Sequence, residues 1–230
     1  MVDSAAATTV PSQVSTGQLP DTNGVRAAVE ASYRRHLGNV DGAVASYIPS
    51  LARASAQLFG ICVVAADGRE VGVGDYEVPF SIQSVSKPFV FALVCDAVGP
   101  EQARSLLGVN ATGFPFNSVV AIEVNEDRTM NPMVNAGAIA TTSLVPGDTA
   151  DEKWSVLQRV LSGFAGRELS VDEEVFASES ATNQRNLGIA HLLRGHGRMY
   201  ADPDLATMVY TRQCSLAVTA HDLAVMAATL

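Results

Sequence analysis

The pattern of apolar and polar positions in the first quarter of the chain predicts a tail followed by helices. Residues 1–22 are rich in Ala, Ser, Thr, Pro and Gln, which favours a flexible N-terminal tail. A helical pattern follows over residues 24–36. Asp41 is expected to cap a second, short helix that reaches Ile48, before Pro49 bends or ends it.

A β-hairpin is predicted after these helices. The segment 58–64 is apolar and β-branched, and the alternating segment 70–74 follows soon after it. Between them lies Asp67-Gly68, a dipeptide that favours the tight turns of hairpins. We therefore expect two antiparallel strands here.

The rest of the chain has mainly helical spacing. Residues 84–98 are apolar on nearly every side, which predicts a central helix that is buried all round. Small apolar residues fill 135–145, and residues 151–164 form an amphipathic pattern. This part of the chain is thus expected to be a cluster of helices.

Two capping boxes, which begin at Ser170 and Thr219, predict further helix starts. The helix that Thr219 opens still continues at Leu230, although the last carbonyls of a helix need partners. A single hairpin is also marginal as a sheet. We therefore expect residues 23–230 to form one domain that is truncated at its C-terminus and has an incomplete sheet.

Composition and charge narrow the classes of function. The chain has 230 residues, of which 47% are hydrophobic and 17% charged, so it can bury a sizeable core. Its formal charge of −9 disfavours nucleic acid and anionic membrane surfaces as partners. A small neutral or zwitterionic ligand suits this charge better.

Cysteines and histidines give no sign of a metal or a disulfide framework. The three cysteines are far apart, and the four histidines have no ligand-like spacing. The N-terminus lacks the basic start and apolar run of a signal peptide, and no apolar stretch is long enough to span a bilayer. We expect a cytoplasmic protein without a metal.

Ser84 and Lys87 form a Ser-x-x-Lys motif at the entry of the predicted central helix. At this spacing both side chains point to one side, within hydrogen-bond reach. A serine hydroxyl becomes a strong nucleophile when a base takes its proton, and burial lowers the pKa of a lysine toward that role. Free N–H groups at the helix N-terminus favour the negative charge of an acyl-transfer intermediate. The motif indicates a nucleophilic acyl-transfer site.

A structural interpretation of the same motif stays open. Ser84 could cap the helix while Lys87 extends to water. However, the chain has only two lysines against thirteen arginines, and Lys87 is followed directly by Pro-Phe-Val-Phe. This combination favours the functional interpretation.

The segment FSIQSVSKPFVFAL, residues 80–93, resembles the nucleophile region of the serine-dependent glutaminases, relatives of the serine β-lactamases and penicillin-binding proteins. The resemblance continues in the family's order and covers residues 24–230. The other segments that carry it are YIPSLARASAQLFGI (47–61), GFPFNS (113–118), NPMVNAGAI (131–139), SESATNQRNLGIAHLL (178–193) and YTRQCSLAVTAHDLA (210–224).

The resemblance implies an α+β fold of the serine β-lactamase-like kind. An antiparallel sheet would pack on the central helix beside a helical cluster, with only the first hairpin of that sheet present here. It also implies hydrolysis of L-glutamine to L-glutamate and ammonia through a seryl acyl-enzyme. Such enzymes need no metal or organic cofactor, and the resemblance implies a homo-oligomer, either a dimer or a tetramer.

Carried over by position, the resemblance implies that Ser84 and Lys87 are catalytic. The implied substrate-binding residues are Ser84, Tyr47, Asn135, Glu179, Asn186 and Tyr210. Glu179 could pair with the substrate ammonium, and the two asparagines could hold polar oxygens. Taken singly, each has an ordinary explanation: packing for the tyrosines, helix capping for Asn135, and a solvated helix face for Glu179 and Asn186.

Members of that family continue beyond Leu230, so the resemblance also implies missing strands, a missing active-site tyrosine and a missing oxyanion-hole valine. We therefore expect this chain to be weakly active or inactive and marginally folded. Two other classes stay open. One is a different Ser-x-x-Lys acyl hydrolase, such as a β-lactamase or a D-alanyl peptidase. The other is a non-catalytic fragment that binds glutamine or associates with a longer relative.

Overall fold

The structure, a computed structural model, describes residues 21–128 and 130–230. The predicted tail over residues 1–22 lies outside the described residues except for its last two positions. Those two belong to the first helix, because the side chain of Asp21 accepts a hydrogen bond from the backbone N–H of Gly24 at 2.7 Å. The expected tail and the first helix therefore overlap only at Thr22, with Asp21 as the N-cap.

The described residues form a mixed α and antiparallel β structure. The helices are α1 Thr22–His36, α2 Lys87–Val98, α3 Pro100–Leu107, α4 Val120–Val124, α5 Asn135–Ser143, α6 Ala150–Ala165, α7 Glu173–Ser180, α8 Gln184–Gly195, α9 Pro203–Cys214 and α10 Ala220–Thr229. The strands are β1 Gly60–Val64, β2 Glu70–Gly74, β3 Phe80–Ser81 and β4 Ala217–Val218. Short 3₁₀ turns cover Leu51–Arg53 and Gln83–Ser86.

The predicted hairpin is confirmed. Strands β1 and β2 pair antiparallel with Gly60 opposite Gly74. Helix α1 packs on β2, and α10 packs on β1. The turn contains Gly68 at φ +83°, a backbone conformation that glycine adopts without a steric cost. This sheet therefore packs against α1 and α10, the first and last helices of the described residues.

A second small sheet was not predicted. Strands β3 and β4 pair antiparallel, and the backbone N–H of Ile82 donates to the carbonyl of Leu216 at 2.8 Å. The expectation of a single hairpin was therefore wrong. Each strand has two residues, which is too short for an alternating pattern to be recognised. The pairing fastens the segment before Ser84 to the link between α9 and α10.

Two predicted helix starts were also wrong. Residues 39–46 form no helix, because the backbone N–H of Asp41 donates to the side chain of Asn39, a local alternative to helical bonding. Helix α7 is capped by Asp172, whose side chain accepts from the N–H of Val175 at 3.0 Å. The carbonyl of Ser170 instead accepts from Ala217 beside the second sheet.

Two apolar cores lie on either side of α9. The first joins α2, α6 and α10, and the second joins α5 and α8. Helix α2 contributes the buried side chains of Phe89, Val90 and Val94, whereas Phe91 and Leu93 are only partly buried. The expectation that this helix is buried all round was therefore wrong. None of the helices in residues 21–128 and 130–230 has the length and apolarity needed to cross a membrane.

Helix α5 lies directly against the loop that precedes it. A Cβ atom at Gly137 would lie 2.0 Å from the backbone oxygen of Asn131, so no other residue fits there without a shift of the backbone. The close approach places the carbonyl of Met133 next to the N-terminus of α5.

The capping box at Thr219 is confirmed. The Thr219 hydroxyl accepts from the N–H of Asp222 at 3.0 Å, and the Asp222 carboxylate accepts from the N–H of Thr219 at 2.7 Å. The same carboxylate accepts from the guanidinium Nε of Arg167 at 2.7 Å. Burial alone would raise the pKa of Asp222, but the hydrogen bonds from Arg167 and Thr219 hold it below its usual range.

Replacing Asp222 with asparagine should lower the free energy of unfolding at neutral pH by about 1–3 kcal/mol, because it weakens the cap and the charged hydrogen bonds. The native pKa of Asp222 lies below its unfolded value. This stabilisation is therefore present above the unfolded pKa and is lost as the pH falls through the native one. Urea unfolding at several pH values measures it. Asp67→Asn, at an exposed ion pair with Arg69, is the control and should change stability little; equal midpoints for Asp222→Asn and wild type would contradict the prediction.

Candidate active site

The predicted site residues meet at one cavity of about 350 Å³. Six of the seven line it, although they come from five separate stretches of the chain. The seventh, Lys87, is hydrogen-bonded to one of the six. The lining residues are Tyr47, Ile48, Gln83, Ser84, Phe116, Asn117, Asn135, Glu179, Thr182, Asn183, Arg185, Asn186, Tyr210 and Cys214.

Ser84 lies in the 3₁₀ turn that leads into α2, and its side chain is open to the cavity. The residue before it, Gln83, has φ +49°, a conformation that costs energy for any residue other than glycine. Helix α2 itself starts at Lys87, with Ser86 as its N-cap. Ser84 therefore does not cap the helix, which removes the structural interpretation of that residue.

Lys87 is buried, with 4% of its surface exposed. Its Nζ donates to Asn135 Oδ1 at 2.9 Å and to the carbonyl of Met133 at 3.2 Å, and it lies 5.9 Å from the centre of the Phe116 ring. Burial lowers the pKa of this amine. The lysine does not extend to water, contrary to the structural alternative.

The predicted direct contact between the two motif residues is not formed. Within the described residues, no hydrogen bond joins Nζ of Lys87 to Oγ of Ser84, because the amine is held by Asn135 and Met133 instead. Hydrogen bonds between catalytic groups are often long before substrate binds. The two side chains nevertheless belong to the same turn, three positions apart.

Asn135 connects the buried amine to the far wall of the cavity. Its Oδ1 accepts from Lys87, and its Nδ2 donates to Asn186 Oδ1 at 3.1 Å. Its backbone N–H donates to the carbonyl of Phe116 at 2.8 Å. Because the Asn186 carbonyl is occupied, the amide donors of Asn186 remain for a ligand oxygen. Asn135 is the first residue of α5, so this helix sets the position of the whole chain of contacts.

Glu179 is the acidic group of the cavity lining. It lies on α7 with 8% of its surface exposed, and Gln83 Nε2 donates to its Oε2 at 3.4 Å. Burial raises the pKa of Glu179 to about 7, against a smaller lowering by the hydrogen bond from Gln83. A cation that enters the cavity would restore the charged form of this carboxylate.

The two tyrosines differ in position. Tyr210, on α9, is 2% exposed, and burial raises the pKa of its phenol well above the usual range. The phenol therefore stays protonated beside the Ser84 hydroxyl. Tyr47 is 69% exposed and lies at the rim of the cavity.

The cavity lining also contains a thiol, Cys214, next to Tyr210. Burial raises the pKa of the Cys214 thiol to about 12, so this cysteine is a poor nucleophile.

Several lining residues were not predicted individually. Gln83 adjoins Ser84, and Phe116 and Asn117 lie in the segment 113–118 that already carried the family resemblance. An amide or an aromatic side chain does not by itself indicate a chemical role, so these residues could not be identified as site residues from their types alone. Within residues 21–128 and 130–230, no group of three or more His, Cys, Asp or Glu side chains is placed to hold a metal ion.

Comparisons with known proteins agree on one family. The family model described as Glutaminase matches residues 42–230. Glutaminase 2 of Yersinia pestis is 55% identical over 217 residues, which cover 94% of this chain and 64% of the relative. A glutaminase of Brucella abortus (strain S19) is 48% identical and is matched over 91% of this chain and 66% of its own length. This chain thus spans somewhat less than two thirds of the length of these two relatives.

Solved structures from the same family superpose on this chain. The structure of a probable glutaminase, ybaS, superposes with a TM-score of 0.88 at 38% identity, covering 91% of this chain and 68% of the other. The native form of Mglu gives a TM-score of 0.81 at 35% identity, covering 89% of this chain and 49% of the other. With a family match over residues 42–230 and relatives at about half identity, this chain belongs to the glutaminase family.

Proposed function

We propose that this chain hydrolyses L-glutamine to L-glutamate and ammonia through an ester on Ser84. The observation that carries the proposal is the cavity itself. A serine with an open hydroxyl, a buried carboxyl group and two asparagines face one space, above a lysine that burial drives toward its neutral form.

The hydrogen bonds of Lys87 support its role as the base. A neutral amine has two N–H groups and one lone pair. Met133 and Asn135 accept the two N–H bonds, which leaves the lone pair to take the Ser84 proton. The serine oxygen then attacks the side-chain amide carbon, and the amine returns the proton to the departing ammonia. Water cleaves the resulting ester by the reverse sequence.

The charges of the cavity suit an amino acid with a neutral side chain. The carboxylate of Glu179 would pair with the substrate ammonium, and this pairing offsets the cost of its burial. The amide of Asn186 and the hydroxyl of Tyr47 can donate to the substrate carboxylate. Tyr210, held as a phenol, can donate to an oxygen or nitrogen next to Ser84.

The relatives support this choice of substrate. The curated relatives are named glutaminases, and one solved structure shows Mglu in its glutamate form at 35% identity to this chain. The serine β-lactamase-like fold is also proposed here, since the Ser-x-x-Lys turn at the start of a central helix supports it. Hydrolysis of nitrocefin without hydrolysis of glutamine would favour the β-lactamase alternative instead.

A cytoplasmic location is part of the proposal, and Cys62, Cys95 and Cys214 support it because all three are free thiols. We also propose that residues 23–230 belong to one glutaminase domain, which includes helix α1 from its first residue, Thr22, and that the protein is a homo-oligomer. The segment beside the cavity exposes apolar side chains, with Phe116 at 59%, Val120 at 58% and Val124 at 60%, and such a patch is typical of a contact between subunits.

Replacing Ser84 with alanine should reduce ammonia release by about 10⁴-fold or more, because the nucleophile is lost, while glutamine binding remains. Lys87→Met should reduce it by about 10³-fold, because no base remains in the site. A coupled ammonia assay and calorimetry measure the two effects. Ser55→Ala is the matched control, because Ser55 is exposed and does not line the cavity that contains Ser84. Full turnover by Ser84→Ala would contradict the proposal, whereas binding without turnover by wild type would favour a non-catalytic protein.

The pKa of about 7 for Glu179 predicts a pH dependence. Below that pH the free protein carries a neutral carboxyl group, which pairs poorly with the substrate ammonium. The value of kcat/KM should therefore fall about tenfold for each pH unit below it. Bound ammonium favours the carboxylate, so kcat should show the decline at a lower pH. Coincident profiles for kcat and kcat/KM would contradict this assignment.

A neutral residue at position 179 gives the complementary control. Because the native pKa of Glu179 lies above its unfolded value, its stabilising contribution is present at low pH and is lost as the pH rises through about 7. Glu179→Gln should therefore unfold at a higher temperature than wild type at alkaline pH, while it binds glutamine weakly.

The proposed oligomer is tested at its exposed patch. Combined Val120→Asp and Val124→Asp substitutions should convert a dimer or tetramer to monomers, because buried aspartates at an interface lose hydration. Sedimentation velocity measures the mass. Val40→Asp, at an apolar residue that is 77% exposed in another loop, should leave the mass unchanged. A wild-type monomer would contradict this part of the proposal.

A further inference from the structure

The backbone just before Ser84 is strained, and something must hold it in place. Gln83 has φ +49°, a conformation that is strained for a residue with a side chain and persists only where its surroundings fix it. The Gln83 side chain is fixed weakly, by contacts of 3.2 Å to Ser81 and 3.4 Å to Glu179. The stronger restraint acts on its carbonyl.

Ser86 supplies that restraint through its side-chain hydroxyl. A serine at the N-cap of a helix normally accepts a hydrogen bond from the first turn. Ser86 is the N-cap of α2 and makes no such bond. Its hydroxyl instead donates backwards to the carbonyl of Gln83 at 2.8 Å, and the residue is fully buried. Ser84 lies between the two residues joined by this bond.

Gln213 sets the direction of the Ser86 hydroxyl. Gln213 Nε2 donates to Ser86 Oγ at 2.9 Å, so the hydroxyl accepts from one side and donates to Gln83 on the other. Gln213 is 1% exposed. Its Oε1 accepts from the Thr142 hydroxyl at 3.2 Å, and that single proton is shared with the carbonyl of Ala138 at 3.1 Å. Ser86, Gln213 and Thr142 are all buried, and each is hydrogen-bonded within this chain of bonds.

The same chain of bonds joins the elements that line the cavity. Thr142 lies on α5, the helix that begins with Asn135. Gln213 lies on α9 between Tyr210 and Cys214, which both line the cavity. A buried network of this kind has one arrangement in which all members are satisfied, so it fixes the relative positions of the parts it joins.

We propose that Gln213 is a positioning residue for the nucleophile, and this inference rests on the proposed function of Ser84. Gln213 orients the Ser86 hydroxyl, Ser86 holds the carbonyl of Gln83, and the strained turn presents the Ser84 oxygen to the cavity. Without the amide donor, the Ser86 hydroxyl is free to rotate and the turn relaxes. Gln213 does not touch the substrate.

The test measures how fast a small fluorophosphonate reacts with the hydroxyl of Ser84. This probe does not resemble glutamine, so its reaction does not depend on recognition of the substrate. Gln213→Leu should reduce the rate of Ser84 labelling by about 10- to 100-fold, the cost of a small misplacement of a reacting atom. Intact-mass spectrometry measures the rate, and calorimetry with L-glutamate should show binding within about threefold of wild type. Thr207→Val is the matched control, since this buried hydroxyl on α9 has no hydrogen-bond partner among residues 21–128 and 130–230 and lies outside the network.

Gln213→Glu separates positioning from a general loss of structure. A protonated glutamic acid can still donate to Ser86, whereas a carboxylate can only accept and would draw the Ser86 proton away from Gln83. The ratio of wild-type to Gln213→Glu labelling rates should therefore rise with pH. A variant that was merely loosened would give a ratio that does not depend on pH.

The outcomes distinguish this inference from the proposed function. Equal labelling of Gln213→Leu and wild type would overturn the role of Gln213, and so would a constant ratio for Gln213→Glu across a pH range in which its carboxyl group ionises. A wild-type Ser84 that resists the probe would overturn it too, because no activated serine would then need positioning. If wild type is labelled but does not release ammonia from glutamine, the proposed function fails while the labelling rates still decide on Gln213.

Discussion

The buried amine of Lys87 is the constraint around which this molecule is arranged. An ammonium group in an apolar interior loses its hydration, so it must either release its proton or find several oxygen partners. The structure supplies two oxygens, from Met133 and Asn135, and places the ring of Phe116 5.9 Å from the amine. Glu179 across the cavity experiences the opposite shift for the same reason. Burial thus shifts the pKa of each group toward its neutral form, downward for the amine and upward for the carboxyl group.

The sequence predicted those parts of the fold whose signals are local. Asp67-Gly68 specified the hairpin, and the capping box at Thr219 specified the start of α10, because each signal acts within a few residues. Asp41 misled the prediction because its backbone bonds to Asn39 instead of starting a helix. The pairing of β3 with β4 joins residues more than 130 positions apart through only two residues on each side, so no local pattern records it.

The site was predictable only as a set. Ser84 and Lys87 carried a chemical argument from spacing, but Glu179 and Asn186 would each pass for an ordinary surface residue without the family resemblance. Burial is what distinguishes Glu179, and burial depends on packing that the spacing of one helix does not reveal. Gln213 lies in the segment 210–224 that carried the family resemblance, but its role could not be predicted, since its partner Ser86 lies 127 positions away and both residue types are common in helices and turns.

The close contact at Gly137 has a consequence for how this protein can change. A side chain there would push against the backbone of Asn131, and the displacement would reach Met133, whose carbonyl holds the buried amine. The absence of a side chain at Gly137 therefore allows α5 to lie close to the loop that carries Met133. Neighbouring positions of α5 can exchange one small residue for another by adjusting their own packing. At Gly137 even a methyl group would require the backbone of Asn131 to move, so glycine is the residue that this position accepts without a rearrangement.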